Sequence, residues 1–165
     1  SILSTYFELN ELNKNLFLNF KPTKGRGNMS TISIHNKRFK LIDESYNSNP
    51  LSIKFSINRF SSMNTFKNKK ILLLGDMLEL GKFSKKLHQD VFKVINNSKI
   101  DKVYVFGKYM EEAFNKIKTQ KKGRVLRSIK DVENFINLEI KDKEYLMIKG
   151  SNATGLNKLT KKYIK

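Results

Sequence analysis

The chain has 165 residues, of which 39% are apolar and none is cysteine, which is length for one domain with a real core and excludes disulfides, thiolate metal sites and a cysteine nucleophile. No run approaches the roughly 20 apolar residues of a membrane helix, and Ser1-Ile2-Leu3-Ser4-Thr5-Tyr6 lacks the build of a secretory signal, so the expected setting is the cytoplasm; the missing initiator Met points to a piece of a longer protein. A net charge of +18 brings nucleic acid or an anionic surface into question as a partner.

Residues 2–20 carry apolar positions at helical spacing, and Lys21-Pro22-Thr23-Lys24-Gly25-Arg26-Gly27 breaks that pattern. The main domain boundary is placed there, with residues 1–22 separate from a domain over 23–165. Met29 to Ile34 alternates as a strand does, residues 35–38 read as a hairpin turn, and Phe39 to Ile42 as the returning strand. Asn49 before Pro50 is an N-cap followed by proline at the first helical position, so a helix is expected over about 50–62 with Ile53, Ile57 and Phe60 inward.

Ile71-Leu72-Leu73-Leu74 is a continuous apolar run, as a strand covered on both faces requires. Then come a loop from Gly75 to Gly81, a helix over about 84–97, a strand over 102–106 and, past Gly107, a helix over about 108–118. A short strand over 124–126, a helix capped by Ser128 with Asp131 in a capping-box position, a strand over 145–148 and a helix over about 154–164 complete the chain. This alternation predicts an α/β fold: an open, mostly parallel, Rossmann-like sheet that opens with a β-hairpin and carries helices on both faces.

In such sheets ligands lie at the carboxyl ends of the strands. Three loops fall there: residues 43–50, 75–81 and 149–152; Gly25-Arg26-Gly27 is a fourth candidate segment. Taken singly, each has a plain reading. Asp43, Glu44, Asn47 and Asn49 suit a turn and a helix cap, Gly75 and Gly81 permit a turn, Lys149 suits a solvated strand end, and Arg26 a linker. Neither a dinucleotide fingerprint nor a phosphate-cradling P-loop is present. His35 and His88 lack partners at metal-ligand spacing, so no metal site made within the chain is expected.

Taken together, the segments resemble a known family. Gly25-Arg26-Gly27 and Leu41-Ile42-Asp43-Glu44-Ser45-Tyr46-Asn47-Ser48-Asn49-Pro50-Leu51-Ser52 resemble the GRG and L-I-D-(D/E)-S-Y-N-A-N-P-x-S signature of the C-terminal domain of Mur ligases. Leu74-Gly75-Asp76-Met77-Leu78-Glu79-Leu80-Gly81, with His88 after it, and Lys149-Gly150-Ser151 are similar to segments of the member that adds D-alanyl-D-alanine. Order and spacing agree over about residues 10–165. Ser48 stands where the signature has Ala, and Asn152 where Arg is frequent.

The resemblance implies a C-terminal domain of an ATP-dependent carboxylate–amine ligase of peptidoglycan synthesis. Such an enzyme phosphorylates the terminal carboxylate of UDP-MurNAc-tripeptide to an acyl phosphate, which the amine of D-Ala-D-Ala attacks. ATP and Mg²⁺ would be bound mainly by a central domain, to which residues 1–22 would form a tail, and the UDP-sugar by an N-terminal domain. This chain alone would be inactive. By the same resemblance Arg26 reaches the ATP phosphates, Asp43 or Glu44 holds the ribose hydroxyls, and Asn47 and Asn49 position nucleotide or dipeptide. Lys149 and Ser151 bind a substrate carboxylate, while Asp76 and Glu79 organise their loop.

Two alternatives stand beside this reading. One is a folylpolyglutamate- or cyanophycin-type ligase domain, against which the Tyr46-Asn47-Ser48-Asn49-Pro50 loop speaks. The other is a basic nucleic-acid or anionic-surface binding module. Only five of the 33 basic residues are Arg, and the lysines are spread along the chain, as an AT-rich genome would give. Readers of phosphate and base favour the planar Arg fork, so neither a nucleic-acid partner nor membrane insertion is expected.

Overall fold

The computed structural model describes Thr23 and residues 25–164; the helix expected over 2–20 lies outside the described residues. Two strands, β1 (Asn28–Ile34) and β2 (Lys37–Glu44), pair antiparallel around a two-residue turn at His35 and Asn36. The helix α1 (Pro50–Ser62) follows, capped by Asn49, whose side chain accepts from Ser52 N, with Ser52 Oγ accepting in return from Asn49 N. The remaining strands are β3 (Lys70–Gly75), β4 (Lys102–Phe106), β5 (Lys122–Leu126) and β6 (Tyr145–Lys149). Between and after them lie α2 (Ser84–Asn96), α3 (Lys108–Ala113), α4 (Ile129–Asn134) and α5 (Leu156–Tyr163). The sheet order is β1-β2-β6-β3-β4-β5, parallel throughout except for β1.

The period-2 alternation of the strands sorts the core into two layers. Ile42, Leu72, Leu74, Val103, Val105 and Met147 point to one face and meet Ile53, Ile57 and Phe60 of α1 together with Val91, Phe92 and Ile95 of α2. Leu41, Ile71, Leu73, Leu146 and Ile148 point to the other and meet Val132, Phe135, Leu156 and Leu159. Each fully buried Leu, Ile or Phe stabilises by about 1.5–3 kcal/mol against its exposed state. Two covered faces are what the apolar run at 71–74 required.

Several boundaries differ from expectation. The hairpin turn takes two residues rather than four, because Lys37 and Arg38 pair with Ile34 and Ser33. The helix expected over 108–118 is α-helical only to Ala113 and ends in a 3₁₀ turn, Phe114–Lys116. The helix after Ser128 passes from α4 into a π turn, Phe135–Glu139. Ser128 Oγ accepts from Asp131 N, but the Asp131 carboxylate accepts from Arg127 N rather than from the cap residue, so only half of the capping box forms. The last α-helix starts at Leu156, after a 3₁₀ turn over Asn152–Thr154.

The topology aligns the carboxyl ends of β2, β6, β3 and β4. Glu44 pairs with Lys149, Lys149 with Leu74, and Gly75 with Phe106. The three loops singled out above therefore leave the sheet side by side.

Candidate functional site

Gly25-Arg26-Gly27 is fastened to the end of β2. Gly27 N donates to Asp43 O at 2.8 Å, Tyr46 N to Gly25 O at 3.2 Å, and Arg26 N to Thr23 O at 3.1 Å. Both glycines have positive φ, +83° and +88°, and a Cβ would run into Tyr46 at Gly25 and into the Arg59 guanidinium at Gly27. The strap holds Arg26 outward, with its guanidinium 4.8 Å from the centre of the Tyr46 ring. No ion pair among the described residues engages it. An open cleft of about 520 Å³ lies before it, lined by Arg26, Glu44, Asn49, Leu51, Phe55 and Arg59.

Asp43 and Glu44 are neighbours in β2 and therefore point to opposite faces of the sheet. Asp43 is buried, and its carboxylate accepts from Ser45 N at 3.0 Å, from Ser45 Oγ, and from Thr160 Oγ1 of α5 at 3.1 Å. Glu44 faces the cleft, bonded to Arg59 at 2.8 Å, with Lys149 Nζ 3.9 Å away. Lys149 is not a solvated strand end: its side chain is 2% exposed and Nζ donates to Asn47 O at 3.0 Å. Burial pushes its pKa below the usual lysine value, with Glu44 pulling the other way and Arg26 and Arg59 adding to the lowering. Two cations thus share one carboxylate while Arg26 beside them has no acid of its own among the described residues, an electropositive arrangement suited to an anion.

The 75–81 loop is built as a frame. The Asp76 carboxylate accepts from Met110 N at 2.8 Å and Tyr109 N at 3.3 Å, capping the start of α3 from the loop after β3. It sits where a Cβ on Gly107 would lie, so that position takes glycine. His88 is fully buried; Met77 N donates to its Nε2 at 2.9 Å, which assigns the ring proton to Nδ1, 2.6 Å from Ser84 O. Ser151 ties the loops together: its Oγ accepts from Leu78 N at 2.9 Å and contacts Ser48 O at 3.4 Å, and its N donates to Asp76 O at 3.1 Å.

The structure therefore brings Arg26, Glu44 and Asn49 to one cleft and places Asp43 on the other side of the sheet, beside a smaller hollow with Ser45 and Tyr46. Asn47 is exposed, and its side chain accepts from Ser48 N. Lys149 and Ser151 stand behind the cleft wall, with their polar atoms engaged inside the fold. Asp76 organises its loop as expected, whereas Glu79 is exposed at φ 64°. Arg59 was not singled out from the sequence; its one signal was being an arginine in a lysine-rich chain. Thr160 gave none, since its contact with Asp43 spans 117 residues. Among the described residues no three His, Asp or Glu side chains gather as a metal ion needs.

A model of the Mur ligase glutamate ligase domain matches residues 29–152. The UDP-N-acetylmuramoyl-tripeptide–D-alanyl-D-alanine ligase of Rickettsia prowazekii is 28% identical over 141 residues, covering 86% of this chain and 30% of that protein. The ligase of the same name from the Buchnera aphidicola of Acyrthosiphon pisum is 35% identical over 127 residues, covering 76% of this chain and 27% of that protein. In fold, the chain superposes on the MurF ligase of Thermotoga maritima, solved in complex with ADP, with a TM-score of 0.72. That match is at 22% identity and covers 98% of this chain and 35% of the other. The chain thus spans less than a third of the length of these curated relatives. With the strap, the cleft and the 75–81 frame in the order the signature demands, the chain belongs to the Mur ligase family and carries its glutamate ligase domain.

Proposed function

We propose that this chain is the C-terminal domain, over residues 23–165, of a cytoplasmic ligase that joins D-Ala-D-Ala to UDP-MurNAc-tripeptide at the expense of ATP in peptidoglycan synthesis. Residues 1–22 form the tail of a central domain that supplies most of the ATP and Mg²⁺ contacts, and an N-terminal domain holds the UDP-sugar. The observation that carries the reading is Arg26: exposed, unpaired with any acid among the described residues, and held on Tyr46 at the mouth of a cleft shared with Glu44 and Arg59. Its planar fork matches phosphate oxygens in pairs.

Glu44, rather than Asp43, then meets the ribose hydroxyls, since Asp43 is spent on Ser45 and Thr160. ATP activates the tripeptide carboxylate as an acyl phosphate, and closure of this domain keeps water from hydrolysing it. Asn47 and Asn49 stand where the incoming dipeptide or nucleotide would be aligned. Lys149 acts from behind, its ammonium and the Asn47 carbonyl setting the loop, and Ser151 holds the loops in register.

The test is a chimaera in which residues 23–165 replace the matching domain of the Bacillus subtilis relative, 41% identical over 68 residues. Phosphate release should require ATP, UDP-MurNAc-tripeptide and D-Ala-D-Ala together. Arg26→Lys should lower turnover about a hundredfold with an unchanged melt, kcat falling more than KM for ATP rises. An active chimaera that accepts a different amine would overturn the substrate; one whose Arg26→Lys variant keeps wild-type kinetics would remove Arg26 from the site.

A further inference from the structure

The charge of +18 is not used up by the cleft, and the opposite end of the sheet shows where much of it goes. The amino ends of β2, β6, β3 and β4 lie together there, next to the carboxyl ends of the helices. Some of the cations are explained by those helix ends, whose free carbonyls favour positive charge. Lys37 Nζ donates to the carbonyls of Ile136 and Asn137, Lys70 Nζ to Ser61 O, and Lys121 Nζ to Ser98 O. The local acids keep their charge but are held by backbone amides and outnumbered by the cations around them: Asp142 accepts from Arg38 N, Asp101 from Lys70 N, and Glu144 from Lys141 N.

What remains is an exposed set on adjoining loops, Arg38, Lys67, Lys69, Lys99, Lys141 and Lys143, none of which enters an ion pair among the described residues. The loops are knit together, Lys143 N donating to Arg38 O at 2.7 Å and Tyr145 N to Lys69 O at 2.9 Å. A hollow of about 340 Å³ opens between them, lined by Arg38, Lys40, Asn68 and Lys143. Beside it Phe66 is 80% exposed. Phe66 and Lys67 are both left-handed, at φ 50° and 70°, in a turn pinned by Asn64 Oδ1 accepting from Phe66 N and Thr65 Oγ1 donating to Asn68 O. Two left-handed residues thus stand where an aromatic ring lies in water among lysines.

We infer that this amino-end pole docks on an anionic lipid bilayer, its lysines over the headgroups and Phe66 entering the interface. Lysine is a point charge, and the cations are spread over a broad end of the molecule rather than along a groove. Mobile lipid headgroups can gather under such a surface. A nucleic acid would call for a tracked groove with several stacking rings, and among the described residues one exposed ring stands here. Docking by this pole leaves the cleft at the other end of the sheet facing away from the bilayer.

The experiment is co-sedimentation of the 165-residue chain with phosphatidylcholine vesicles containing about a third phosphatidylglycerol, against vesicles of phosphatidylcholine alone. Binding is expected only to the anionic vesicles at about 0.1 M salt and should fade toward 1 M. Lys67→Glu with Lys69→Glu and Lys143→Glu should weaken it roughly tenfold or more, and Phe66→Ser should weaken it measurably. The triple reversal Lys54→Glu, Lys85→Glu and Lys86→Glu, equal in net charge but away from the pole, should bind as wild type. All these side chains are exposed, and circular dichroism checks that each variant folds. Equal weakening by the two triple variants would reduce the effect to net charge and overturn the proposal. Unchanged binding by Phe66→Ser would remove the inserted ring. Absence of vesicle binding, together with pole-dependent binding of a single-stranded oligonucleotide, would replace the bilayer with nucleic acid.

Discussion

Two loops leave the same end of the sheet, and both carry residues of the family signature, yet they spend them differently. In the 75–81 loop the polar groups are closed on the fold itself: Asp76 caps α3, and His88 accepts from Met77 and donates to Ser84, out of contact with solvent. In the 44–49 loop and the strap beside it the groups face solvent: Arg26, Tyr46, Asn47 and Asn49 are exposed, even though Asn49 caps α1 and Asn47 accepts from Ser48 N, and Glu44 and Arg59 border a cleft. A signature residue can therefore serve as frame or as contact. Burial together with a full set of hydrogen bonds tells which, because a buried polar group without a partner is costly.

The largest expected effect breaks the frame. His88→Ala removes a ring that fills its site and orphans the buried Met77 N, so it should destabilise by about 3 kcal/mol. Thermal melting should fall by roughly 5–10 °C. Asn47→Ala on the open loop should cost under about 0.5 kcal/mol. Equal losses from the two would erase the distinction between frame and contact.

A second test sharpens the boundary between the regions, where Lys149 is buried behind the open loop. Its folded pKa lies below the ordinary 10.5, so between those two values the unfolded chain binds more protons and stability rises with pH. Relative to Lys149→Met, wild type should gain stability as pH is raised toward 10.5 and lose that gain as pH falls through the folded pKa. Denaturant melts of both proteins across that range measure it, and a pH-independent difference would mean that the ammonium is not desolvated as the structure requires. The smallest effect is at Ser48, whose hydroxyl is buried without a hydrogen-bond partner among the described residues and stands where the signature has Ala. Ser48→Ala should cost nothing and can stabilise by up to about 1 kcal/mol; a loss of that size would show that the hydroxyl is bonded.

Much of the fold was legible in the order of residues because its causes are local. The apolar run at 71–74 implied a strand covered on both sides, and Asn49-Pro50 set the start of α1 to the residue. Helix ends were less legible: nothing between Ala113 and Ile117 marks the change to a 3₁₀ turn, where Phe114 meets Phe92 of α2 edge to face. The candidate site was legible as four segments with a family likeness, but the division of labour within it was not.

Local pattern, turn chemistry and signature spacing were sufficient by themselves for the α/β alternation, the carboxyl-end loops, the family, and Arg26 as the residue to watch. The tertiary structure alone decided that Asp43 is bonded to Thr160 while Glu44 turns to Arg59, that Lys149 is buried, and that His88 belongs to the frame. It also decided that lysines without an ion pair among the described residues gather at the far pole. The physical reason is the same in each case: whether a polar side chain is spent or available depends on partners brought to it by the fold, up to 117 residues away along the chain, and no local propensity records them.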